Sequence, residues 1–242
     1  MKFLNIVIPM AGRGSRFSSV GYIDPKPLIT VQDSPMIELV TKNLTPKKYK
    51  YKFIFICQEE VLKNEKFQYF IKKLPDVYKI IPINYITRGA AETVLLAKDF
   101  ISNEEHLMIA NCDQFIDINI DDYLDFAFQS DCCIMTMKAC DPKWSYIKYE
   151  NHIIVDIIEK QVVSNDATAG IYNFASGNLF LRGVYKMIKK NIKVNGEFYV
   201  APVYGELIKD HATVKIYDVT GKMYGLGTPE DLLLFKQSQL GI

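Results

Sequence analysis

Histidine is scarce in this chain, and metal-ligand spacings are missing altogether. Its 242 residues hold three histidines, His106, His152 and His211. None stands near a second ligand at metal-binding spacing, which argues against a zinc site. The five cysteines, Cys57, Cys112, Cys132, Cys133 and Cys140, are odd in number and follow no ligand pattern. Four lie in or beside apolar runs, where cysteine acts as a small hydrophobe. They read as reduced thiols in a cytoplasmic protein. No stretch reaches the roughly 18 uninterrupted apolar residues of a membrane span. The N-terminus enters a strand without the segments of an export signal. A net charge of +1 supplies no global field to recruit nucleic acid or anionic lipid. Internal repeats, low-complexity tracts and linkers are absent too.

What remains is an ordinary apolar content of 49%, enough for one large α/β domain with a sizeable core. Runs rich in β-branched and aromatic residues predict strands over Phe3–Pro9, Lys52–Cys57, Ile80–Tyr85, Leu107–Asn111 and Cys132–Lys138. Helical patterns fall at Pro35–Leu44, Glu59–Leu74, Ala90–Ile101 and Ile120–Phe128, with Pro35 at the first helical position and Ser34 as its cap. The alternation implies a mostly parallel sheet covered on both faces, with ligands at the carboxyl ends of its strands. The second half is more mixed. Strands are expected over Ser145–Glu159, Ala169–Phe174 and Thr213–Val219, and helices over Val184–Lys190, Tyr199–Asp210 and Pro229–Gln237.

The chemistry-bearing segment is Ala11-Gly12-Arg13-Gly14-Ser15-Arg16-Phe17, followed by Pro25-Lys26-Pro27. A glycine-rich turn leaving a buried strand offers N–H groups to phosphate. Arg16 and Lys26 add charge to the same phosphates, and two prolines restrict the backbone around the lysine. A plain tight turn with solvated charges is the competing reading. A dinucleotide fold needs a third glycine where Phe17 stands, and a Walker A loop needs Gly-Lys-Ser/Thr, whereas Gly221-Lys222 precedes Met223. Further along, Asn111-Cys112-Asp113 ends a strand, where a carboxylate either holds Mg²⁺ against phosphate oxygens or simply opens a turn. Asp117, Asp121 and Asp122 read as turn and cap residues.

From Ile6 to Leu232 these segments resemble the sugar-1-phosphate nucleotidyltransferase family. Met10 ahead of Ala11 is similar to a capsule-type branch that includes cytidylyltransferases acting on phosphorylated glutamine or choline. The resemblance implies a single Rossmann-like mixed α/β domain flanked by helices, with residues 1–140 binding the NTP and 141–242 the acceptor. It also implies Mg²⁺, pyrophosphate release and a homodimer. It gives Arg16, Lys26 and Lys160 catalytic roles. The nucleotide falls to Ala11, Gly12, Arg13, Gly14, Ser15, Arg88, Gly89 and Ala90, the metal to Asp113, and the acceptor to Glu159, Lys160, Tyr172 and Glu197. Tyr199 and Tyr204 read as core. In Gly225-Leu226-Gly227-Thr228-Pro229-Glu230-Asp231 the family's second metal aspartate falls on Gly225. Asp113 then holds one Mg²⁺ with water and phosphates, or another carboxylate, with Asp218 the candidate, substitutes. A nucleotide-sugar sensor without catalysis stays open as a second class. A metal-dependent glycosyltransferase would need Asp-x-Asp where Asp113-Gln114-Phe115 stands.

Overall fold

Alternation along the first strand sets the architecture. Leu4, Ile6 and Ile8 enter one apolar core and Val7 enters another on the opposite face of the same sheet. A strand buried on both faces requires cover on both. The structure, a computed structural model, describes residues 2–75 and 77–238. Its first half contains β1 (Phe3–Met10), α1 (Ser15–Ser18), β2 (Thr30–Val31), β3 (Ser34–Pro35), α2 (Met36–Leu44), β4 (Lys50–Gln58), α3 (Glu59–Leu62), α4 (Glu65–Lys73), β5 (Tyr78–Ile83), α5 (Ala90–Leu95), α6 (Lys98–Ile101), β6 (His106–Ala110), β7 (Gln114–Ile116) and α7 (Ile120–Ala127). The second half adds β8 (Cys132–Lys138), β9 (Ser145–Glu150), β10 (Ile153–Glu159), β11 (Asp166–Phe174), α8 (Gly177–Lys189), α9 (Ala201–Ile208), β12 (Val214–Asp218), β13 (Met223–Gly225) and α10 (Pro229–Gln237).

One nine-stranded sheet runs through both halves in the order β10-β9-β11-β6-β1-β4-β5, with β8 beside β11 and β12 beside β8. Strands β6, β1, β4 and β5 are parallel. Strand β11 runs antiparallel to β6, β8 and β9. The expected mixed α/β sheet is therefore present, parallel in its first part and antiparallel in its second. The chain leaves β1 towards β4 on one side and returns to β6 on the other. That reversal opens a crevice at the carboxyl ends of β1 and β6, the usual ligand position in such sheets.

Several boundaries differ from the sequence reading. Pro35 stands at the cap of α2 rather than inside it, and Ser34 does not cap the helix. Ser34 instead pairs with Val31 in a small β2–β3 bridge, and the Met36 N–H donates to Ile29 O at 2.9 Å. The helix expected over Glu59–Leu74 is two helices, because Asn64 caps the second through its side chain. Helix Ala90–Ile101 also divides, where Leu96 and Ala97 donate back three residues and tighten the chain. The Ser145–Glu159 segment folds back on itself at Asn151 and His152, both with positive φ, the backbone that a tight hairpin turn requires.

Candidate active site

The turn after β1 closes directly on the lysine segment. Gly14 is left-handed, with φ 63°, and a β-carbon there would lie 2.9 Å from Cβ of Lys26. Glycine permits both the backbone and the approach. Phe17, in place of a third glycine, is 1% exposed and stacks edge-on to Tyr22 at 5.2 Å. Burial of such a ring is worth about 1.5–3 kcal/mol, so Phe17 anchors the loop. The backbone of Gly12 and Arg13 forms no hydrogen bond within the described residues.

Opposite this loop, Asp113 follows β6 and its carboxylate pairs with the ammonium of Lys26. Burial works against the Lys26 charge, but Asp113 more than offsets it, and the lysine pKa lies above its ordinary value. Cys112 lies beside them, and burial pushes its thiol up to about 11, so it stays neutral. A cavity of about 500 Å³ opens here. Ala11, Gly12, Arg13, Gly14, Ser15, Lys26, Gly89, Ala90, Asp113 and Glu197 line it, so most candidates from distant segments share one wall.

The far wall is the turn before α5. Gly89 has φ 119°, and a β-carbon there would sit 2.5 Å from the Phe198 carbonyl oxygen. The Phe198 N–H donates to Arg88 O and Phe198 O accepts from Ala91, so this turn is strapped to the second half of the chain. Arg88 departs from its expected place. Its guanidinium donates to Glu92 at 2.6 and 2.9 Å and lies over the Phe198 ring, outside the cavity lining. The i,i+4 ion pair on one helix turn draws it away.

The acceptor candidates gather at the base of the β9–β10 hairpin. Glu159 is buried and accepts a hydrogen bond from the Ser145 hydroxyl. Burial pushes its carboxyl pKa up, against the opposing effects of Ser145 and Lys160. Lys160 has φ 56°, and its N–H donates to Trp144 O at 3.0 Å. Its ammonium donates to the Tyr199 hydroxyl at 2.5 Å. Tyr199 is thus a site neighbour rather than plain core, which the sequence reading missed. Burial pushes its hydroxyl pKa up, and Glu197 adds to the rise. Tyr204 is core as expected, 0% exposed. Tyr172 departs from expectation. It is 7% exposed, its hydroxyl meets Thr168, and it belongs to the lining of neither the cavity nor the smaller one beside it.

A smaller cavity of about 120 Å³ adjoins the first through Asn111 and Asp113. Arg16 lines it, as do Gln114, Trp144, Thr228 and Asp231. Asp218 does not belong to its lining. The Asp218 carboxylate is held by the N–H and hydroxyl of Thr220 at the end of β12. The carboxylate facing the Gly225 position is Asp231, whose Oδ2 would be 3.3 Å from a β-carbon on Gly225. A β-carbon on Gly227 would be 2.8 Å from Asp113 Oδ2 and 4.0 Å from Asp231 Oδ2. Two glycines therefore clear a space between two carboxylates. That oxygen donor set fits a hard divalent cation. No three His, Cys, Asp or Glu side chains among the described residues form a metal cage by themselves. The signal for Asp231 was its place six residues after Gly225 in the same motif, where it keeps an aspartate while the first one is replaced by glycine.

The family model described as Nucleotidyl transferase matches residues 6–198. The chain belongs to the nucleotidyl transferase family. Among curated relatives, the bifunctional protein GlmU of Methanocaldococcus jannaschii is 23% identical over 240 residues, 95% of the chain and 53% of the relative. The GlmU of Methanococcus maripaludis is 25% identical over 244 residues, again 95% and 53%. The chain spans about half the length of the curated relatives it matches. A nucleoside-diphosphate-sugar pyrophosphorylase from Vibrio cholerae superposes with a TM-score of 0.80 at 26% identity, covering 96% of this chain and 100% of that one. An inositol-1-phosphate CTP transferase from T. maritima shares the fold, with a TM-score of 0.71 at 14% identity over 98% of each chain. No helix among the described residues is long and apolar enough to cross a membrane.

Proposed function

We propose that the protein transfers a nucleoside monophosphate from an NTP onto a phosphorylated acceptor and releases pyrophosphate. The observation that carries this reading is the shared cavity wall of the Gly12–Ser15 loop, Lys26 and Asp113. An oxygen of the acceptor phosphate attacks the α-phosphorus in line, and the bond to the β-phosphate breaks. Little covalent chemistry falls to the protein, so its residues act by positioning and charge. The loop N–H groups, Arg13, Arg16 and Lys26 hold the triphosphate. The Gly89–Ala90 backbone and the hydroxyls of Thr87 and Thr93 border the base, with Arg88 engaged elsewhere. Lys160, a point charge steadied by Tyr199, holds the acceptor phosphate and offsets its repulsion by the NTP. Glu159 and Glu197 flank the acceptor. Asp113, faced by Asp231, would hold Mg²⁺, which supplies positive charge against the phosphate oxygens.

CTP is the proposed donor. Support comes from Met10 and from the departures at Gly225 and in the Thr87–Thr93 turn from uridylyl and thymidylyl enzymes. The proposed setting is cytoplasmic synthesis of a capsule or surface polysaccharide. Residues 1–140 serve mainly the NTP and 141–242 mainly the acceptor. The test is pyrophosphate release with Mg²⁺, crossing CTP, UTP, dTTP, ATP and GTP with sugar 1-phosphates, phosphocholine and phosphorylated amino acids. One active pair is expected. Lys26→Ala and Asp113→Ala should each lower its turnover by about 10²–10³-fold or more with the fold intact. Near-normal rates in either variant would sink the reading. NTP binding without pyrophosphate release from any pair would favour a sensor.

A further inference from the structure

The smaller cavity carries a feature that the reaction chemistry leaves unused. Beside the two carboxylates and Arg16, its lining includes the uncharged polar side chains of Asn111, Gln114 and Thr228, together with Trp144. Within that wall the amide nitrogen of Gln114 is buried and has no hydrogen-bond partner among the described residues, in a residue only 4% exposed. Buried polar groups are nearly always paired. A donor left unpaired beside a cavity is one whose partner arrives from outside.

The backbone around Gln114 makes room for it. Gly170, within β11, has φ 72°, and a β-carbon there would overlap Gln114 Oε1 and lie 2.5 Å from Asn111 Nδ2. Glycine inside a strand costs stability and marks a close approach. The pairing of β11 with β8 shifts register across this stretch, between Thr168 and Tyr172. Gln114 also faces Gly225 in the β7–β13 pairing. Two carboxamides thus converge where the chain withholds side chains on both sides. Trp144 lines the same cavity, and its carbonyl accepts the Lys160 N–H. That ring already carries the Lys143 ammonium, 5.1 Å from its centroid, which sets the cavity against a cationic head group.

We infer that Gln114 is a specificity-determining residue for the acceptor: its carboxamide nitrogen donates to an uncharged oxygen on the acceptor's organic part, seated against Trp144. The inference rests on the nucleotidyl-transfer reading for the identity of the ligand as a phosphorylated acceptor. A site built to pair with a substrate oxygen rejects a molecule lacking it, since its own buried group is then stranded.

Trp144 is the only tryptophan in the chain, so its emission reports on this cavity without any turnover. The experiment titrates that emission with glucose 1-phosphate, inositol 1-phosphate, phosphocholine and phosphoethanolamine, in wild type, Gln114→Met and Gln114→Asn. At least one hydroxylated phosphate should shift the emission, with its Kd raised tenfold or more in Gln114→Met and less in Gln114→Asn. Phosphocholine should give no response, and both variants should keep the rise in melting temperature with CTP. The inference is overturned if Gln114→Met binds within twofold of wild type. It also falls if phosphocholine binds as tightly as the hydroxylated phosphates, or if no member of the panel moves the emission. Pyrophosphate release on the same panel separates the two ideas. Gln114-dependent binding without turnover retires nucleotidyl transfer but keeps Gln114 as the reader of the ligand. Turnover and selectivity untouched by the Gln114 variants retire this inference alone.

Discussion

At Gly89 a single hydrogen atom decides whether the far wall of the larger cavity can form. Its φ of 119° and the 2.5 Å from a would-be β-carbon to Phe198 O leave no room for any side chain. Gly89→Ala must therefore move Phe198 or abandon the backbone, at a cost of about 1–3 kcal/mol. Urea denaturation should register that loss, and the KM for the NTP should rise. A normal KM at reduced stability would detach this turn from the nucleotide. Lys26 and Asp113 show the limit of residue-level reading from sequence. Both were legible as charged groups near phosphate, but their ion pair joins positions 87 residues apart. Arg88 shows the opposite case. Its charge and position suggested a pocket residue, yet Glu92, one helical turn on, takes the guanidinium.

Among the elements, β6 holds a pH-sensitive contact away from the site. His106 stacks on Phe128 with ring centroids 3.8 Å apart. Burial first, and the Lys2 charge second, lower its pKa from 6.5 to about 4. The folded chain therefore disfavours the proton that the unfolded chain accepts. The resulting stability is complete above about pH 6.5 and falls away as the pH drops towards about 4. As the pH drops through this window, the melting temperature of wild type should fall relative to that of His106→Phe. Parallel curves would place the proton elsewhere. Element types were readable because β1, β4 and β6 are apolar on both faces. The ends were less so. The α2 cap failed as an expectation because Ser34 was drawn into pairing with Val31, a contact set by β2 rather than by the helix.

For the whole molecule, the proposed reaction ties activity to a divalent cation between the two halves of the chain. A chelator should abolish pyrophosphate release, and Mg²⁺ should restore it. Asp231→Ala should raise the Mg²⁺ concentration giving half-maximal rate by about tenfold, while the Thr228 hydroxyl keeps its bond to the Asp231 N–H and so keeps α10 capped. An unchanged Mg²⁺ requirement would exclude Asp231 from the cation. By itself, the sequence determined the family, the sheet class and the glycine-rich loop after β1, because these depend on local patterns: apolar strands, glycine after a strand, and lysine between prolines. Tertiary structure alone decided which side chains face the cavities. It turned Arg88 away, brought Tyr199 to Lys160, set Asp231 against Gly225 and left the Gln114 amide nitrogen without a partner among the described residues. Each of these depends on contacts between segments far apart in the chain, where packing and charge pairing select one direction for a side chain that local sequence leaves free.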